Sequence, residues 1–168
     1  EFQITATITN VSCNLGFDGA ISINVTGGAG NYSYNWSPGP ITGQSSPSVS
    51  GLIAGTYNVT VSDVNLCDTV LNFQVGEPTE IMATFSSVDA NCNQSNGQII
   101  ANVTGGTIVF DYDYQWFDAL SNPILGQTSP SITGLSTGKG NYFLRVRDAN
   151  SCEKVFISTV GSTNGPTI

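Results

Sequence analysis

The sequence predicts an all-β protein made of two tandem antiparallel β-sandwiches. Two observations carry this prediction: apolar and polar residues alternate over short segments, and the complete series of landmarks occurs twice, about 80 residues apart. Alternation with a period of two is typical of antiparallel strands that bury one face. No stretch keeps a helical period of apolar residues over the 10–12 positions that a helix requires.

Each strand is predicted from this alternation. In one example, Ile21, Ile23 and Val25 share a face while Ser22 and Asn24 take the other. The first copy has predicted strands at 3–9, 20–26, 32–37, 47–50, 56–63 and 69–75. The second copy has them at 82–88, 98–104, 112–117, 130–133, 141–148 and 154–160. Gly-Gly, Pro-Gly and Asp-x-Asn sequences between them are turn signals.

The duplication also predicts the domain organisation. The segment from Glu1 to Cys13 has the same length as that from Glu80 to Cys92. We therefore predict one sandwich at 1–78, a second at 79–161, and the start of a linker to a further repeat at 162–168. Seven residues from Val75 to Ile81, including a proline, form the junction. So short a linker predicts two units placed end to end with limited bending, at roughly 40 Å per unit.

The charge of the chain excludes several classes of function. Its net charge is −8, from twelve acidic and four basic residues, and it contains no histidine. Binding to nucleic acid is not expected, because a phosphate backbone requires many basic side chains. Membrane insertion is not expected either, since no apolar run approaches the roughly 20 residues needed to span a bilayer. All four basic residues lie in the second copy: Lys139, Arg145, Arg147 and Lys154.

The four cysteines occupy matched positions in the two copies. Because a repeat that is closed on its own can be repeated indefinitely, we predict one disulfide per sandwich, Cys13–Cys67 and Cys92–Cys152. Each would close a loop of roughly 55 to 60 residues and contribute on the order of 4 kcal/mol in the chain-entropy model. Disulfides indicate an oxidising compartment. A zinc site is the competing interpretation, but the sequence lacks both a CxxC pair and histidine.

A tryptophan between two cysteines in a domain of short strands favours an immunoglobulin-like sandwich. The later cysteine of each copy differs from the antibody pattern, because it lies in an Asp-x-Asn-x-Cys turn sequence rather than within a strand. The bridge is therefore expected at an edge or end of the sandwich instead of across its centre.

Both copies resemble the SprB-type repeat of Bacteroidota cell-surface proteins. The pattern comprises an early Cys, V-x-G-G, Y-x-W, S-G-L-x-x-G-x-Y-x-V-x-V and D-x-N-x-C. The first copy has Cys13, Val25, Gly27, Gly28, Tyr34, Trp36, Gly51, Leu52, Gly55, Tyr57, Asp63 and Cys67. The second copy has Cys92, Val103, Gly105, Gly106, Tyr114, Trp116, Gly134, Leu135, Gly138, Tyr142, Asp148 and Cys152. Two segments of the second copy are longer, before Tyr142 and after Trp116, and are interpreted as loop insertions.

The resemblance implies a non-catalytic repeat segment of a long adhesin for gliding motility or surface attachment, acting as a semi-rigid stalk. It also implies export by the type IX secretion system and an extracellular location on a bacterial cell surface, attached to the outer membrane. Partners would be neighbouring repeats of the same chain and a surface polysaccharide or another extracellular substrate. The alternatives are a polysaccharide-binding module that uses Tyr and Trp faces, and an accessory domain of a secreted enzyme.

Several aromatic residues are candidates for binding. Trp36 and Trp116 suit either a platform for sugar rings or the core, and their repetition favours the core. Tyr32 and Tyr112 extend the same rows and are the candidate ligand-binding residues. Two further tyrosines follow Gly-containing turns and are expected to act as tyrosine corners, with the hydroxyl bonded to nearby backbone: Tyr57 and Tyr142.

The acidic residues offer little for catalysis or metal binding. Without histidine, a Ser-His-Asp or Cys-His arrangement cannot be built, and we predict no enzyme activity and no cofactor. Asp63 and Asp148 are expected to bond the backbone of their own turns. The calcium candidates are Asp111, Asp113 and Asp118, which lack counterparts in the first copy. Thr69, within Asp-Thr-Val, is a candidate for O-glycosylation.

Overall fold

A computed structural model describes residues 1–91, 94–136 and 140–163. The described residues form fourteen strands and no helix. They divide into two compact units, Glu1–Pro78 and Thr79–Ile168. The predicted all-β class is therefore confirmed.

The first unit contains six strands in two three-stranded sheets. The strands are β1 (Phe2–Thr9), β2 (Gly19–Gly27), β3 (Ser33–Ser37), β4 (Ser48–Leu52), β5 (Gly55–Ser62) and β6 (Asp68–Val75). One sheet has the order β1-β2-β4 and the other β3-β5-β6, and all pairings are antiparallel. All six predicted strands are present, with boundaries within two residues of the prediction.

The second unit repeats this arrangement. Its strands are β7 (Met82–Val88), β8 (Ala90–Asn91), β9 (Gly97–Thr104), β10 (Asp113–Phe117), β11 (Ser131–Leu135), β12 (Asn141–Arg147), β13 (Glu153–Thr159) and β14 (Ser162–Thr163). The antiparallel sheets have the orders β7-β9-β11 and β10-β12-β13, and β8 pairs with β14 in parallel. The two-residue strands β8 and β14 were not predicted, because two residues are too few to show a period.

The core of each unit lies between its two sheets and is centred on a tryptophan. Trp36 of β3 and Trp116 of β10 have no exposed surface. The alternating residues of β2 and β5, such as Ile21 and Val59, complete the first core. Burying the area of one such aromatic side chain is worth about 4–6 kcal/mol of transfer free energy. The core interpretation of both tryptophans is confirmed.

The course of the chain determines which turns meet at each end of a unit. β3 and β4 run in the same direction. They are antiparallel to β5 and β2 respectively, and both of these strands run towards the turns that the Ala29–Asp63 hydrogen bond joins. Residues 38–47 therefore run back along the unit, against the direction of β3, and connect β3 in one sheet to β4 in the other. The return contributes no strand. Consequently, the β1–β2 turn and the β5–β6 turn lie at opposite ends of the unit.

Candidate functional site: the ends of the two units

Each unit has an entrance end, where the chain arrives, and an exit end, where it leaves. In the first unit the entrance end comprises Glu1–Phe2, the Gly27–Gly30 turn and the Asp63–Cys67 turn. In the second unit it comprises Thr79–Ile81, the Gly105–Thr107 turn and the Asp148–Cys152 turn. The exit end of the first unit comprises residues 10–16 and 75–78. The exit end of the second unit comprises residues 89–91, 96–97 and 160–163. The sequence motifs of the repeat concentrate at these ends.

A buried aspartate organises the entrance end of the first unit. The side chain of Asp63 is 5% exposed, and its Oδ1 accepts hydrogen bonds from the backbone N–H groups of Asn65 (2.9 Å) and Cys67 (3.1 Å). Its Oδ2 accepts one from the N–H of Ala29 at 2.9 Å. These bonds lower the pKa of Asp63, and the bond from Ala29 has the largest effect. Burial acts in the opposite direction but does not outweigh them. Asp63 thus joins the cysteine turn to the glycine turn.

The second unit reproduces this network with Asp148, which is 6% exposed. Oδ1 of Asp148 accepts from the N–H groups of Asn150 and Cys152, both at 2.9 Å. Oδ2 accepts from the N–H of Thr107 at 2.8 Å. The prediction that these aspartates bond the backbone of their own turns is confirmed. The sequence did not show that each also binds a second turn about 35–40 residues away.

The Val-Thr-Gly-Gly motif lets the incoming chain pass close to the turn. Gly27 and Gly105 have φ values of +83° and +84°, a region that favours glycine. A Cβ atom would lie 2.2 Å from the carbonyl oxygen of Glu1 at Gly27, and 1.9 Å from that of Glu80 at Gly105. The next residue, Gly106, donates its N–H to the carbonyl oxygen of Thr79 at 2.8 Å. The motif therefore fixes where the chain enters the unit.

Tyr32 and Tyr112 lie at the same two turns. Their hydroxyl groups donate to the carbonyl oxygens of Gly27 and Gly105, the latter at 2.7 Å. Tyr112 is 9% exposed, and burial raises the pKa of its phenol. Tyr32 is half-buried. Both side chains thus support the entrance end, and a role in ligand binding stays a prediction.

The exit end of the first unit holds the departing chain through four hydrogen bonds. The N–H of Val11 donates to the carbonyl oxygen of Gly76 at 3.0 Å, and the N–H of Gly76 donates to Oδ1 of Asn10 at 2.8 Å. Two more bonds reach the residues that follow: Asn14 Nδ2 to the carbonyl oxygen of Pro78 at 3.3 Å, and Leu15 N to Glu77 Oε2 at 2.7 Å. Residues 76–78 are therefore part of the first unit.

The exit end of the second unit has the equivalent contacts. Ala90 donates its N–H to the carbonyl oxygen of Gly161 at 3.3 Å, and the N–H of Gly161 donates to Oδ1 of Asp89 at 3.0 Å. Sequence reasoning missed this site. The available signal was an Asn or Asp three residues before the early cysteine in both copies.

The predicted disulfide Cys13–Cys67 is wrong. Cys13 is disulfide-bonded, whereas Cys67 is an exposed free thiol. The reason is distance, because Cys13 lies at the exit end of the unit and Cys67 at the entrance end. The eight residues of β1 between these ends span roughly 25 Å, while a disulfide requires Cα atoms within about 7 Å. Cys152 is also disulfide-bonded; its predicted partner, Cys92, lies outside the described residues. The expectation of one disulfide in each unit fails for the first.

The remaining aromatic candidates serve the fold. Nε1 of Trp36 donates to the carbonyl oxygen of Ser46 at 2.9 Å. The hydroxyl of Tyr57 donates to the carbonyl oxygen of Ile53 at 3.0 Å, which confirms its role as a tyrosine corner. Tyr142 is 6% exposed and hydrogen-bonds the backbone of Ser136.

The three calcium candidates lie in different local structures. Oδ1 of Asp111 accepts from the N–H of Tyr112 at 2.7 Å, and Asp113 faces Arg147 across β10 and β12. Asp118 closes the turn of the longer loop, where its Oδ1 accepts from the N–H groups of Leu120 and Asn122, both at 2.9 Å. Among the described residues, no group of three or more His, Cys, Asp or Glu side chains is placed to hold a metal ion.

Two further observations concern modification and membranes. Thr69 lies in β6 opposite Val61 and is half-buried, and its glycosylation stays a prediction. Within the described ranges, no helix has the length and apolar character needed to cross a membrane.

Two segments of the chain match one repeat family, and several solved structures resemble its fold. Residues 5–40 and 84–120 each match the SprB repeat family. No curated protein sequence matches this chain. Among solved structures, the three N-terminal domains of the highly immunogenic outer capsid protein Hoc of bacteriophage RB49 share 19% identity at a TM-score of 0.55. The match covers 95% of this chain, which spans 59% of that fragment.

Other similar structures carry immunoglobulin domains. The N-terminal eight Ig domains of Down syndrome cell adhesion molecule show 10% identity and a TM-score of 0.45, over 97% of this chain and 25% of that one. The ectodomain of mouse nectin-like molecule 4 shows 11% identity and a TM-score of 0.40, over 98% and 66% of the respective chains. The likeness to the Hoc domains, by itself, confirms the immunoglobulin-like sandwich fold predicted from the sequence.

Proposed function

We propose that this chain, which carries two SprB repeats, is a non-catalytic segment of a bacterial surface adhesin that serves as an extended stalk. SprB repeats are found in cell-surface proteins, and an immunoglobulin-like sandwich suits a structural or adhesive module. The proposal places the segment outside the cell, in a protein attached to the outer membrane and used in gliding or surface attachment.

The observation that supports a stalk is the path of the chain through each unit. The chain arrives at the entrance end and leaves from the opposite exit end, about the length of an eight-residue strand away. Both ends are fixed by hydrogen bonds between backbone and side chains, repeated from one unit to the other. Repeats with this property extend an array by a fixed length per unit, as a spacer requires.

The terminal strands of the first unit are also suited to bearing load. β1 pairs with β2 over eight consecutive positions, from Phe2 with Gly27 to Thr9 with Ala20. The hydrogen bonds of an antiparallel pair are perpendicular to the strands. A pull along β1 therefore loads these bonds together, in shear, instead of opening them one at a time.

The chemistry of the side chains supports a non-catalytic role. The chain has no histidine, and the carboxylates of Asp63 and Asp148 are occupied by backbone N–H groups. Neither tryptophan is available as a platform for sugar rings, because both are buried. The structure thus offers no particular observation in favour of a polysaccharide-binding module.

Small-angle X-ray scattering of the two-repeat chain tests the stalk. We expect an elongated particle whose longest dimension is about twice the roughly 40 Å assigned to one unit. A compact pair would contradict the proposal. A glycan array is the second test, and strong, selective binding to one polysaccharide would replace the stalk with a binding module.

A further inference from the structure

We propose that the second repeat associates with a second copy of this chain, by placing an exposed loop of one molecule on an aromatic sheet face of the other. The loop consists of residues 108–111, and we call it the apolar loop. The face lies on the solvent side of the sheet β10-β12-β13, and we call it the aromatic face; its residues are Phe117, Phe143, Arg145, Val155 and Ile157. This association goes beyond the proposed stalk, because it concerns contacts between chains and not the reach of one chain.

Three antiparallel strands build the aromatic face. In β12 the side chains of Phe143 and Arg145 point away from the core, because the residues that alternate with them are buried. Across the sheet, Phe143 lies between Phe117 and Ile157. Arg145 is the outward residue next along β12, and Val155 lies opposite it. A row of apolar side chains with an arginine beside it therefore crosses the sheet on its solvent side.

The first repeat has no aromatic face. The two sheets can be aligned on their tryptophans, since Trp36 lies opposite Val59 and Trp116 lies opposite Leu144. At the positions that match the aromatic face, four of the five residues of the first repeat are polar and uncharged; the five are Ser37, Asn58, Thr60, Val70 and Asn72. Because both sheets bury the same kind of core, the fold does not require an aromatic face. The difference indicates a role that belongs to the second repeat.

Arg145 is left short of a hydrogen-bond acceptor within this face. Its guanidinium lies 5.8 Å from the centre of the Phe117 ring, and its Nε has no hydrogen-bond partner among the described residues. The carboxylate of Glu153 is 3.8 Å from that Nε, but its Oε2 accepts hydrogen bonds from Arg147 at 2.8 and 3.3 Å. The side chain of Arg145 is partly exposed beside a shallow cleft of about 300 Å³. A partner that brings both a carboxylate and an apolar group would suit this face.

The apolar loop carries both groups in adjacent residues. Ile108, Val109 and Phe110 are all exposed, and Phe110 is 97% exposed. The loop therefore does not lie on the aromatic face of its own molecule. The carboxylate of Asp111 follows directly and is also exposed. Phe110 can pack on the phenyl rings of the aromatic face, while Asp111 can accept a charge-assisted hydrogen bond from Arg145.

Hydrogen bonds hold both ends of the apolar loop. The N–H of Thr107 donates to Asp148 at 2.8 Å, and the hydroxyl of Tyr112 donates to the carbonyl oxygen of Gly105 at 2.7 Å. A loop fixed in this way loses little conformational freedom when it binds. Between the matching anchors, the first repeat has two residues instead of four, and neither carries an apolar side chain; they are Gly30 and Asn31. The apolar loop and the aromatic face thus occur together in one repeat and are both missing from the other.

The distribution of charge favours a second copy as the partner. The chain has a net charge of −8, and Arg145 and Arg147 are its two arginines. Two copies therefore repel each other over most of their surfaces, whereas Asp111 of one copy and Arg145 of the other bring opposite charges together. Because one loop on a shallow face forms a small interface, we expect a dissociation constant of roughly 10–100 µM.

Sedimentation equilibrium of the whole chain tests the association. Free thiols are alkylated first, because the exposed thiol of Cys67 could otherwise form a disulfide between copies. The average mass should rise above that of the monomer as the concentration increases from about 5 to about 500 µM. A monomer mass over this whole range would overturn the proposal.

Matched variants locate the contact. Val155→Asp should weaken the association by about tenfold or more. Val70→Asp should leave it unchanged, since Val70 has the same position in the first repeat and a similar exposure, 58% against 56%. Phe110→Ser should also weaken the association, whereas Leu125→Ser, at another exposed site of the second repeat, should not. Circular dichroism checks that all four variants fold. Equal effects within either pair would overturn the proposal.

A photo-crosslink identifies the surface that the loop contacts. Benzoylphenylalanine is introduced at position 110, and isotope-labelled and unlabelled chains are mixed in equal amounts before irradiation. Mass spectrometry should find crosslinked peptides that combine both isotopes and contain residues of β10, β12 or β13. Crosslinks within single chains only, or mixed crosslinks to other strands, would contradict the placement of the loop on the aromatic face.

Discussion

The indole Nε1 of Trp116 donates a hydrogen bond to the carbonyl oxygen of Ser129 at 3.0 Å, inside a core where the tryptophan has no exposed surface. Trp36 makes the same bond to Ser46 in the first unit. The tryptophan of each repeat therefore fills the core and also donates a hydrogen bond to a backbone carbonyl in the loop that precedes β4 or β11.

Replacing Trp116 with phenylalanine should destabilise the second unit by about 2–4 kcal/mol, because the change leaves a cavity and an unpaired carbonyl group. Urea unfolding monitored by circular dichroism measures the loss. Phe110→Ala is the control, since that side chain is 97% exposed and its removal should change stability by less than about 0.5 kcal/mol. Equal effects of the two substitutions would mean that neither the packing of the indole nor its hydrogen bond stabilises the unit.

Much of the fold could be predicted because it depends on local patterns. The alternation of Ile21, Ile23 and Val25 predicts β2, and all three side chains face the core. Repetition of Trp36 as Trp116 predicts a core role over a binding role, since a packing position must recur with the fold. These inferences need no knowledge of how the strands are connected.

The disulfide pairing could not be predicted in this way, because it depends on the path of the chain. Four strands lie between Cys13 and Cys67, and a simple up-and-down path would bring both cysteines to one end. β3 and β4 instead run in the same direction, with 38–47 as the return between them. This additional reversal places Cys67 at the opposite end of the unit. Nothing in the alternation of side chains records the direction of a strand.

Gly105→Ala should destabilise the second unit by about 2–4 kcal/mol, because a methyl group there would collide with the carbonyl oxygen of Glu80 and strain the backbone at φ +84°. Gly126→Ala is the matched control. Gly126 has a similar φ of +76° but open space around the position of a Cβ atom, so only the strain of about 1–2 kcal/mol applies. Thermal unfolding of both variants measures the difference, and equal losses would show that the close approach of the chain is unimportant.

The stability of the first unit should fall as the pH decreases from about 5 to below 3.8, the ordinary pKa of an aspartate. The pKa of Asp63 is lower in the folded state, chiefly through the hydrogen bond from Ala29. The folded state therefore binds fewer protons than the unfolded state. The resulting stabilisation is complete above the ordinary pKa of aspartate and is lost as the pH falls through the lower pKa of Asp63 in the folded state. Asp18, whose pKa is lowered by Ser12, acts in the same direction.

Asp63→Asn should weaken this pH dependence and lower the melting temperature, because an amide cannot accept at both atoms of the carboxylate. Fluorescence of Trp36, measured in a Trp116→Phe background, reports the first unit alone. Asp68→Asn is the control, since it removes an exposed acidic group from the same end without changing the turn. If both variants retain the pH dependence of the parent, the network around Asp63 is not its source.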